Sequence, residues 1–452
     1  MERLTLAQIA AWCGAETALD GTVGRISIDS RDVDEDTLFI AIVGERFDGN
    51  DFVADVLRQG VKAVLCSRDC GADPRLMRVK DTTAAFLAIA AGYRSRYDIP
   101  FVGLTGSVGK TTSKGMVYAA LNRRFKTYRT EGNLNNNIGV SKTLLQLDGT
   151  YEAAVIEMGM DHAGEISALS KAVRPDVGVI TNVGTAHIET LGSRENILRA
   201  KCEILDGMAP GSPLVINGDN DMLAAYRNDD HRLYGFGVSG ENLYLRAEDI
   251  LSDAHGSRFT AVCETGERTP VFVPAVGLHN VYNALCAVTV GHLLGLGFDE
   301  AAAGVADFQT EGMRQNVTEI RGMTFIEDCY NANPDSMRAA LNTLHTLGTG
   351  RTIAVLGDML ALGDTGEQAH RDVGAYAADM NCTALFTYGE QAAFCAEEAR
   401  KRGVETFAFD DKDALRETLK AYLQSGDVVL FKGSRGMKME DVFQGLYKEW
   451  NQ

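Results

Sequence analysis

The sequence predicts an α/β protein of three domains, with a parallel sheet in the central domain and a doubly wound, Rossmann-like sheet in the C-terminal one. Two observations predict this fold class. Short apolar segments alternate with helix-like segments over residues 101–310 and again over residues 311–452, a rhythm typical of parallel sheets covered by helices. A chain of 452 residues, 45% of them hydrophobic, is also long enough to bury about three cores of ordinary size.

The first predicted domain covers residues 1–98. Short strands are predicted at residues 38–43 and 63–67, and the segment ends in the helix-like DTTAAFLAIAAGYRSRY. Pro100 then opens a new strand. We therefore place the first domain boundary just before this proline.

The second predicted domain covers residues 99–310. Its strands and helices alternate in the order FVGL, KGMVYAALNRR, AAVIEM, DVGVITNV, ENILRAKCEILDGM and PLVIN. A β-rich insertion is predicted at residues 243–274, before the helix-like HNVYNALCAVTVGHLLG. This order predicts a central parallel sheet with helices on both faces.

The third predicted domain covers residues 311–452. Strand-like segments again alternate with helical ones; the strands are TFIED, RTIAVLGDM, TALFTYG, TFAFD and DVVLFKG. The segment has no GxGxxG fingerprint of a dinucleotide site. We therefore expect its doubly wound sheet to hold a substrate.

The composition excludes several classes of protein. A formal net charge of −18 argues against a broad nucleic-acid-binding surface, which needs clustered lysine and arginine. No segment has the roughly 18 uninterrupted apolar residues of a membrane span, and the N-terminus does not read as an export signal. The nine cysteines are scattered without the clustering of a zinc site, which favours reduced thiols in the cytoplasm.

A phosphate-binding loop is predicted where the strand FVGL runs into TGSVGKTT and a helix. The loop glycines allow backbone N–H groups to point inward, and the lysine adds a full positive charge. The strict GxxxxGK[ST] pattern fails at Leu104, and the alternative interpretation is a glycine-rich turn that merely begins a helix. The motif predicts a P-loop-type domain that binds a nucleotide through Gly106, Ser107, Val108, Gly109, Lys110, Thr111 and Thr112.

Metal ligands are predicted beside this loop, because anionic phosphates need neutralising cations. Thr111 is placed to bind magnesium. Glu157 ends the strand AAVIEM and His187 follows the strand DVGVITNV, so both are expected at the carboxyl edge of the central sheet. Taken singly, the alternatives are a solvated strand-end carboxylate and a structural histidine.

Eight ordered segments resemble the Mur ligase family: TGSVGKTT, TEGNLNNNIGV, VIEMGMDHAGEI, NVGTAHIE, RAKCEI, GLHNVYNAL, EDCYNANPDSM and KGSRGMKME. They are spread over essentially the whole chain. The resemblance implies three domains, of which the first holds a UDP sugar, the second holds ATP, and the third closes over both.

Four segments resemble one kind of family member in particular: YNANPDSM, LGDMLALG with a later histidine, KGSRGMKME, and DSRDVDEDTLFIAIVGERFDGNDF. This resemblance implies a cytoplasmic ligase that uses ATP and Mg²⁺ to join D-alanyl-D-alanine to a UDP-N-acetylmuramoyl tripeptide through an acyl phosphate. We expect a monomer that binds no nucleic acid and does not insert into a membrane.

The resemblance assigns the catalytic and metal positions. It implies catalytic roles for Lys110, His187 and Lys201, with Lys201 carbamylated so that it becomes a carboxylate-like ligand. The metal positions are then Thr111, Glu157, His187 and Lys201. Without the resemblance, Lys201 in RAKCEI would be interpreted as a solvated lysine on a helix surface.

The resemblance also assigns further nucleotide contacts. Asn280 and Asn283 match positions near the adenine, Asp328 matches an acid that contacts the ribose, and Arg314 matches an arginine that contacts the phosphates. From the residues alone, Asn280 could be a helix cap and Asp328 a strand-end cap. The segment EGMRQNV departs from the family, which usually has glycine before this arginine and an apolar residue after it.

The substrate positions implied by the resemblance fall into two groups. Those for the UDP-muramoyl substrate are Ser30, Arg31, Arg46, Asn135 and Asn136. Those for the dipeptide are Asn331, Asn333, Ser336, Lys432, Ser434 and Arg435. Taken alone, GERFDGN around Arg46 is merely a polar turn, but a diphosphate requires donors that an acidic chain must gather locally.

Two other functions remain open from the sequence. One is another ligase of the same superfamily, which adds a single amino acid to a muramoyl or folyl acceptor. The other is a nucleotide-switched binding module that performs no ligation. The size of the third domain favours a protein with a second substrate to hold.

Overall fold

The computed structural model describes residues 1–310 and 312–450. By its internal contacts the chain forms two compact units. Unit 1 comprises residues 1–105, 124–178 and 202–212, and unit 2 comprises residues 106–123, 179–201 and the described part of 213–452. Residue 311, where the third domain was predicted to begin, lies outside the described residues.

Strands and helices alternate along most of the chain. The strands are β1 (Leu4–Thr5), β2 (Thr22–Val23), β3 (Arg25–Ser27), β4 (Thr37–Ile40), β5 (Ala63–Cys66), β6 (Leu76–Arg78), β7 (Phe101–Thr105), β8 (Thr127–Arg129), β9 (Ala153–Glu157), β10 (Val177–Ile180), β11 (Leu214–Asn217), β12 (Leu233–Gly237), β13 (Leu245–Asp253), β14 (Gly256–Cys263), β15 (Arg268–Val273), β16 (Asn316–Ile320), β17 (Met323–Asp328), β18 (Thr352–Gly357), β19 (Ala384–Tyr388), β20 (Glu405–Phe409) and β21 (Val428–Lys432). The helices are α1 (Leu6–Cys13), α2 (Val53–Arg58), α3 (Thr82–Arg94), α4 (Lys110–Leu121), α5 (Asn137–Leu145), α6 (Glu165–Val173), α7 (Ile188–Leu191), α8 (Arg194–Cys202), α9 (Asp221–Ala224), α10 (Leu278–Leu293), α11 (Phe298–Ala306), α12 (Pro334–Leu347), α13 (Gly366–Asp379), α14 (Ala392–Lys401), α15 (Lys412–Tyr422) and α16 (Glu440–Trp450). None of these helices is both long enough and apolar enough to cross a lipid bilayer.

Unit 1 begins with the antiparallel pair β1-β2 and then contains a small parallel sheet in the order β3-β4-β5-β6. Strand β4 ends at Ile40 and is therefore shorter than the predicted strand at residues 38–43. Beyond it the chain forms a turn, in which the N–H of Gly49 donates to the carbonyl oxygen of Ile42. Helix α3 starts where predicted. Its N-cap is Asp81, whose carboxylate accepts from the N–H groups of Thr83 and Ala84.

Three further parallel strands of unit 1 lie side by side in the order β7-β9-β8. The residues of β7 and β9 are all buried and mostly apolar, as expected for a sheet covered on both faces. Arg94 at the end of α3 links the two parts of unit 1. Its guanidinium donates to the carbonyl oxygens of Val173 (2.6 Å) and Arg174 (3.1 Å) and lies over the ring of Phe101.

Unit 2 contains the predicted β-rich insertion. Strands β11, β12 and β13 pair in parallel, and β13, β14 and β15 pair in antiparallel. Helices α4, α10 and α11 pack closely together in the same unit. Gly304 on α11 permits this approach, since a Cβ there would lie 2.5 Å from the carbonyl oxygen of Ala119 on α4.

The C-terminal sheet of unit 2 has the order β16-β17-β21-β18-β19-β20, in which all strands after β16 are parallel. Helices α12, α13 and α14 contribute to the core on one face of this sheet, and α15 and α16 contribute to the core on the other. This is the doubly wound arrangement that the sequence predicts, with the antiparallel edge strand β16 as an addition. The helices that follow β18 and β21 lie on opposite faces, so the carboxyl ends of these two strands border a crevice.

Candidate active site

The predicted phosphate loop follows β7 and leads directly into α4. Gly106 and Gly109 have φ values of 156° and 81°, which favour glycine, and Gly109 is the N-cap of α4. A Cβ at Gly106 would collide with the hydroxyl of Thr181. The ammonium of Lys110 donates to the carbonyl oxygen of Gly106 at 2.7 Å, so the loop closes on itself.

Asn182, which the sequence analysis did not single out, fixes the shape of this loop. Its amide oxygen accepts from the N–H of Ser107 at 3.0 Å and from the N–H of Val108 at 2.9 Å. The hydroxyl of Thr181 donates to the carbonyl oxygen of Val108 at 2.7 Å, and the N–H of Gly184 donates to the hydroxyl of Ser107 at 3.0 Å. The only feature of the sequence that could have indicated this role is that Asn182 directly follows the strand-like segment DVGVIT.

Lys201 lies near the end of α8 and is only 1% exposed. The interpretation as a solvated surface lysine is therefore wrong. Burial, and then the nearby charge of Lys110, lowers the pKa of Lys201 well below its ordinary value. This environment favours the neutral form of the amine over the ammonium.

Thr111 and His187 lie in the same unit as Lys201. Thr111 is buried in the first turn of α4. His187 has a left-handed backbone, with φ of 67°, and is the N-cap of α7. A non-glycine residue in this conformation is uncommon and marks a locally constrained turn.

Glu157 lies in unit 1 at the end of β9 and is buried. One of its carboxylate oxygens accepts from the side-chain amide of Asn135 at 2.9 Å, and its N–H donates to the hydroxyl of Thr130 at 3.0 Å. Asn136 instead caps α5, because its amide oxygen accepts from the N–H of Gly139. Asn135 therefore orients the predicted metal carboxylate, and Asn136 holds the neighbouring helix.

Three of the residues predicted to bind the UDP sugar lie in the loops that follow β3 and β4. Ser30 is half-buried, and Arg31 and Arg46 are exposed. The guanidinium of Arg31 donates to the carboxylate of Asp29 at 2.7 Å, and this bond raises the pKa of Arg31. Arg31 would have to exchange this partner to bind a diphosphate.

Asn280 and Asn283 belong to one buried chain of hydrogen bonds. The amide nitrogen of Asn280 donates to the carbonyl oxygen of Val276 and to the amide oxygen of Gln315, and the amide nitrogen of Asn283 donates to Asn280 at 3.1 Å. The hydroxyl of Ser113 on α4 donates to Asn283 at 2.8 Å. Asn280 is not a helix cap, because it lies inside α10 and the N-cap is Gly277.

Asp328 and Lys432 form a buried ion pair between adjacent strands. The ammonium of Lys432 donates to the carboxylate of Asp328 at 2.7 Å and to the carbonyl oxygen of Asn331 at 2.9 Å. The carboxylate of Asp328 therefore pairs with Lys432 and does not act as the strand-end cap that the residues alone suggested. The guanidinium of Arg314 lies 3.8 Å from the ring centroid of Tyr330.

Asn333 and Ser336 form the capping box of α12, so their side chains hold the start of that helix. The amide oxygen of Asn333 accepts from the N–H of Ser336 at 2.8 Å, and the hydroxyl of Ser336 accepts from the N–H of Asn333 at 3.0 Å. Asp335, between them, accepts from the N–H of Thr185 at 3.1 Å. This contact ties the start of α12 to the segment that precedes His187.

The last two predicted dipeptide residues follow β21. The hydroxyl of Ser434 accepts from the N–H of Leu360 at 2.9 Å, and the guanidinium of Arg435 pairs with the buried carboxylate of Glu440. Among residues 1–310 and 312–450, no group of three or more His, Cys, Asp or Glu side chains is placed to hold a metal ion. Carbamylation of Lys201 would add an anionic ligand to the side chains of these four types.

Comparison with known proteins decides the family. Three family models match: "Mur ligase family, catalytic domain" over residues 22–90, "Mur ligase middle domain" over residues 104–291 and "Mur ligase, glutamate ligase domain" over residues 313–435. The UDP-N-acetylmuramoyl-tripeptide--D-alanyl-D-alanine ligase of Bacillus subtilis (strain 168) is 37% identical over 93% of this chain and 92% of its own length. The chain belongs to the Mur ligase family. The ligase with the same name from Escherichia coli (strain K12) is 34% identical over 99% of both chains.

Solved structures agree with this Mur ligase assignment. A crystal structure of MurF from Acinetobacter baumannii has a TM-score of 0.92, 32% sequence identity and 99% coverage of both chains. MurF ligase from Thermotoga maritima, solved in complex with ADP, has a TM-score of 0.87 and 27% identity, with 94% of this chain and 98% of that chain covered. The predicted fold class is therefore confirmed, and the protein is a ligase.

Proposed function

We propose that this protein is an ATP-dependent ligase that joins the amine of D-alanyl-D-alanine to the terminal carboxylate of a UDP-N-acetylmuramoyl tripeptide, in the synthesis of peptidoglycan precursors. Full-length relatives named for this reaction support the choice of substrates. The observation that carries the chemistry is the glycine loop that leads into Lys110, beside the buried Lys201.

A carboxylate is a poor acylating agent, because its leaving group would be oxide. Transfer of the γ-phosphoryl group of ATP to the tripeptide carboxylate gives an acyl phosphate and ADP. The free amine of the dipeptide then attacks the acyl carbon, and the tetrahedral intermediate collapses to an amide and phosphate. Positioning and charge neutralisation supply most of the catalysis in such a reaction.

The residues at the phosphate loop fit a nucleotide. Lys110 would exchange the carbonyl oxygen of Gly106 for the outer phosphates, and the first turn of α4 offers backbone N–H groups to them. Asn182 fixes the turn that binds them. Asn280 and Asn283 are assigned to the adenine side, Asp328 to the ribose and Arg314 to the phosphates.

We also propose a magnesium site, because a lysine whose pKa is lowered by burial is suited to carbamylation. Thr111, Glu157, His187 and carbamylated Lys201 would hold the metal, which supplies positive charge between the phosphates and the tripeptide carboxylate. Asn135 would keep the carboxylate of Glu157 oriented. Burial of Lys201 favours its neutral amine, which is the form that reacts with carbon dioxide to give a carbamate.

The two substrates are assigned to separate groups of residues. We assign the UDP-muramoyl tripeptide to Ser30, Arg31, Arg46, Asn135 and Asn136, and the dipeptide to Asn331, Asn333, Ser336, Lys432, Ser434 and Arg435. The corresponding domains are residues 1–98, 99–310 and 311–452. We further propose that the protein acts in the cytoplasm as a monomer and binds no nucleic acid.

Phosphate release tests the proposal. Purified protein is supplied with ATP, magnesium, the UDP-muramoyl tripeptide and D-alanyl-D-alanine, and each component is omitted in turn. We expect release only with all four, and we expect oxygen label from the tripeptide carboxylate in the phosphate. Equal turnover with single amino acids would favour another ligase of the superfamily. ADP formation that ignores both substrates would favour a nucleotide-switched module.

A further inference from the structure

The loop after β18 borders the crevice between β18 and β21. We call residues 358–363 the β18 loop. Its contacts with the segment after β21 are direct, since the N–H of Ser434 donates to the carbonyl oxygen of Asp358 at 3.0 Å and the hydroxyl of Ser434 accepts from the N–H of Leu360 at 2.9 Å. Ligands of doubly wound sheets bind in such crevices, outside the carboxyl ends of the strands.

The β18 loop is held rigidly by side chains behind it. The Nε2 atom of His370, which is fully buried, accepts from the N–H of Met359 at 2.9 Å, while Nδ1 bonds the carbonyl oxygen of Gly366 at 2.7 Å. The carboxylate of Asp358 accepts from the N–H of Ala392 at 2.7 Å. Ala361 has φ of 58°, a strained conformation for alanine that the surrounding bonds must maintain.

The loop presents one large apolar side chain to solvent. Leu360 is 48% exposed, whereas Met359 and Leu362 on either side of it are buried. Its Cδ1 atom would lie 3.0 Å from a Cβ at Gly436, so it is close to the segment that carries Arg435. The side chain of Arg435 is 54% exposed, and its guanidinium contacts the buried carboxylate of Glu440 and the sulfur of Met313. An apolar group and a cation therefore lie near each other at the edge of the crevice.

We propose that Leu360 is a specificity-determining residue that contacts the side-chain methyl group of the second residue of the incoming dipeptide. This inference rests on the proposed function. D-Alanyl-D-alanine has a carboxylate and a methyl group on the same carbon, which matches a cation next to an exposed leucine. With the carboxylate at Arg435 and the methyl group at Leu360, the free amine, which is on the first residue of the dipeptide, is bound by neither and stays available for attack.

The test compares dipeptides that differ only in this side chain. We would measure kcat/KM for D-alanyl-D-alanine, D-alanylglycine and D-alanyl-D-norvaline, for the wild-type protein and for Leu360→Ala and Leu360→Phe. The wild-type preference for D-alanyl-D-alanine over D-alanylglycine should fall about tenfold in Leu360→Ala, the lower end for one methyl group in an apolar contact. Leu360→Phe should lower kcat/KM for D-alanyl-D-norvaline more than for D-alanylglycine.

The control is Leu251→Ala, because Leu251 is also exposed but lies on β13. It should leave all three values unchanged. If Leu360→Ala is active and keeps the wild-type ratio of kcat/KM for D-alanyl-D-alanine to that for D-alanylglycine, the inference is wrong, whereas the proposed function stands. A wild-type protein that releases no phosphate with any dipeptide would overturn the proposed function as well. Both substitutions lie at an exposed position, so circular dichroism should show folded protein.

Discussion

The amide oxygen of Gln315 lies 3.1 Å from the amide nitrogen of Asn280 and 2.9 Å from Nε2 of His279. Gln315 has a left-handed backbone, with φ of 51°, and its amide nitrogen also donates to the hydroxyl of Thr343 on α12 at 3.4 Å. One side chain thus joins α10 to α12. From Asn280 the hydrogen bonds continue through Asn283 to α4, directly behind the phosphate loop.

Gln315→Met should weaken nucleotide binding and stability together, because it removes the amide and keeps the length of the side chain. Buried polar groups left without a partner cost about 1–3 kcal/mol of unfolding free energy. We expect a higher KM for ATP and a lower Tm. The matched control is Gln368→Met on the exposed surface of α13. An unchanged KM for ATP would show that the chain of bonds does not reach the nucleotide.

Asn182→Ala should raise the Kd for ATP by about tenfold or more, which corresponds to the loss of one or two hydrogen bonds of about 1 kcal/mol each. The reason is that the amide oxygen of Asn182 holds the N–H groups of Ser107 and Val108. Isothermal titration with ATP and magnesium measures the effect. The control is Asn228→Ala, since Asn228 also accepts from two backbone N–H groups, in a different loop. Equal effects of the two substitutions on the Kd would contradict the prediction.

Lys201→Arg should lose nearly all ligase activity, because arginine keeps a positive charge and cannot be carbamylated. Lys201→Ala should be inactive too, but millimolar formate or acetate should restore part of its kcat by supplying the missing carboxylate. In the wild-type protein, ¹³C-labelled bicarbonate should give a carbamate signal that both substitutions remove. Full activity of Lys201→Arg would rule out this role.

His370 should make stability depend on pH. Burial lowers the pKa of His370 below the ordinary value of about 6.5, so the unfolded chain binds the proton more readily than the folded one. The contribution of neutral His370 to the free energy of unfolding is therefore fully present above pH 6.5. It is lost as the pH falls below this value, by at most about 1.4 kcal/mol per pH unit. His279 shifts in the same direction.

Denaturant unfolding between pH 7.5 and 5 isolates the contribution of His370 when wild type is compared with His370→Gln. The glutamine retains an acceptor for the N–H of Met359 but does not titrate. Its unfolding free energy should fall less steeply with decreasing pH, because only His279 and other groups common to both proteins then contribute. Parallel curves for the two proteins would mean that His370 has the same pKa in both states.

The sequence predicts the parts of this fold that depend on local patterns. Apolar runs such as FVGLT give buried parallel strands, and glycines followed by a lysine give the turn before α4. The edge strand β16 was not predicted because NVTEI is polar on much of its length and half of it faces solvent. Its pairing with β17 depends on the whole sheet.

The missed residues of the candidate site share one property, which is that their partners are distant in sequence. Asn182 holds N–H groups about 75 positions earlier, and Gln315 reaches back 35 positions to Asn280. Nothing in the local pattern around either residue announces such a bond. For Asn280 the local pattern suggested a wrong role. A short polar residue near the start of a helix is often an N-cap, but the side chain of Asn280 instead bonds to Val276, Asn283 and Gln315.

The bond between Asp328 and Lys432 joins two adjacent positions of β17 and β21 that we assign to different ligands. A carbonyl oxygen of the dipeptide that accepts from the Lys432 ammonium in place of Asp328 would leave the Asp328 carboxylate available to accept from a ribose hydroxyl. Occupancy of the dipeptide position would then tighten nucleotide affinity, and by thermodynamic linkage the nucleotide would strengthen dipeptide affinity by the same factor. Such mutual strengthening of the two binding events requires the movement of a single ammonium group.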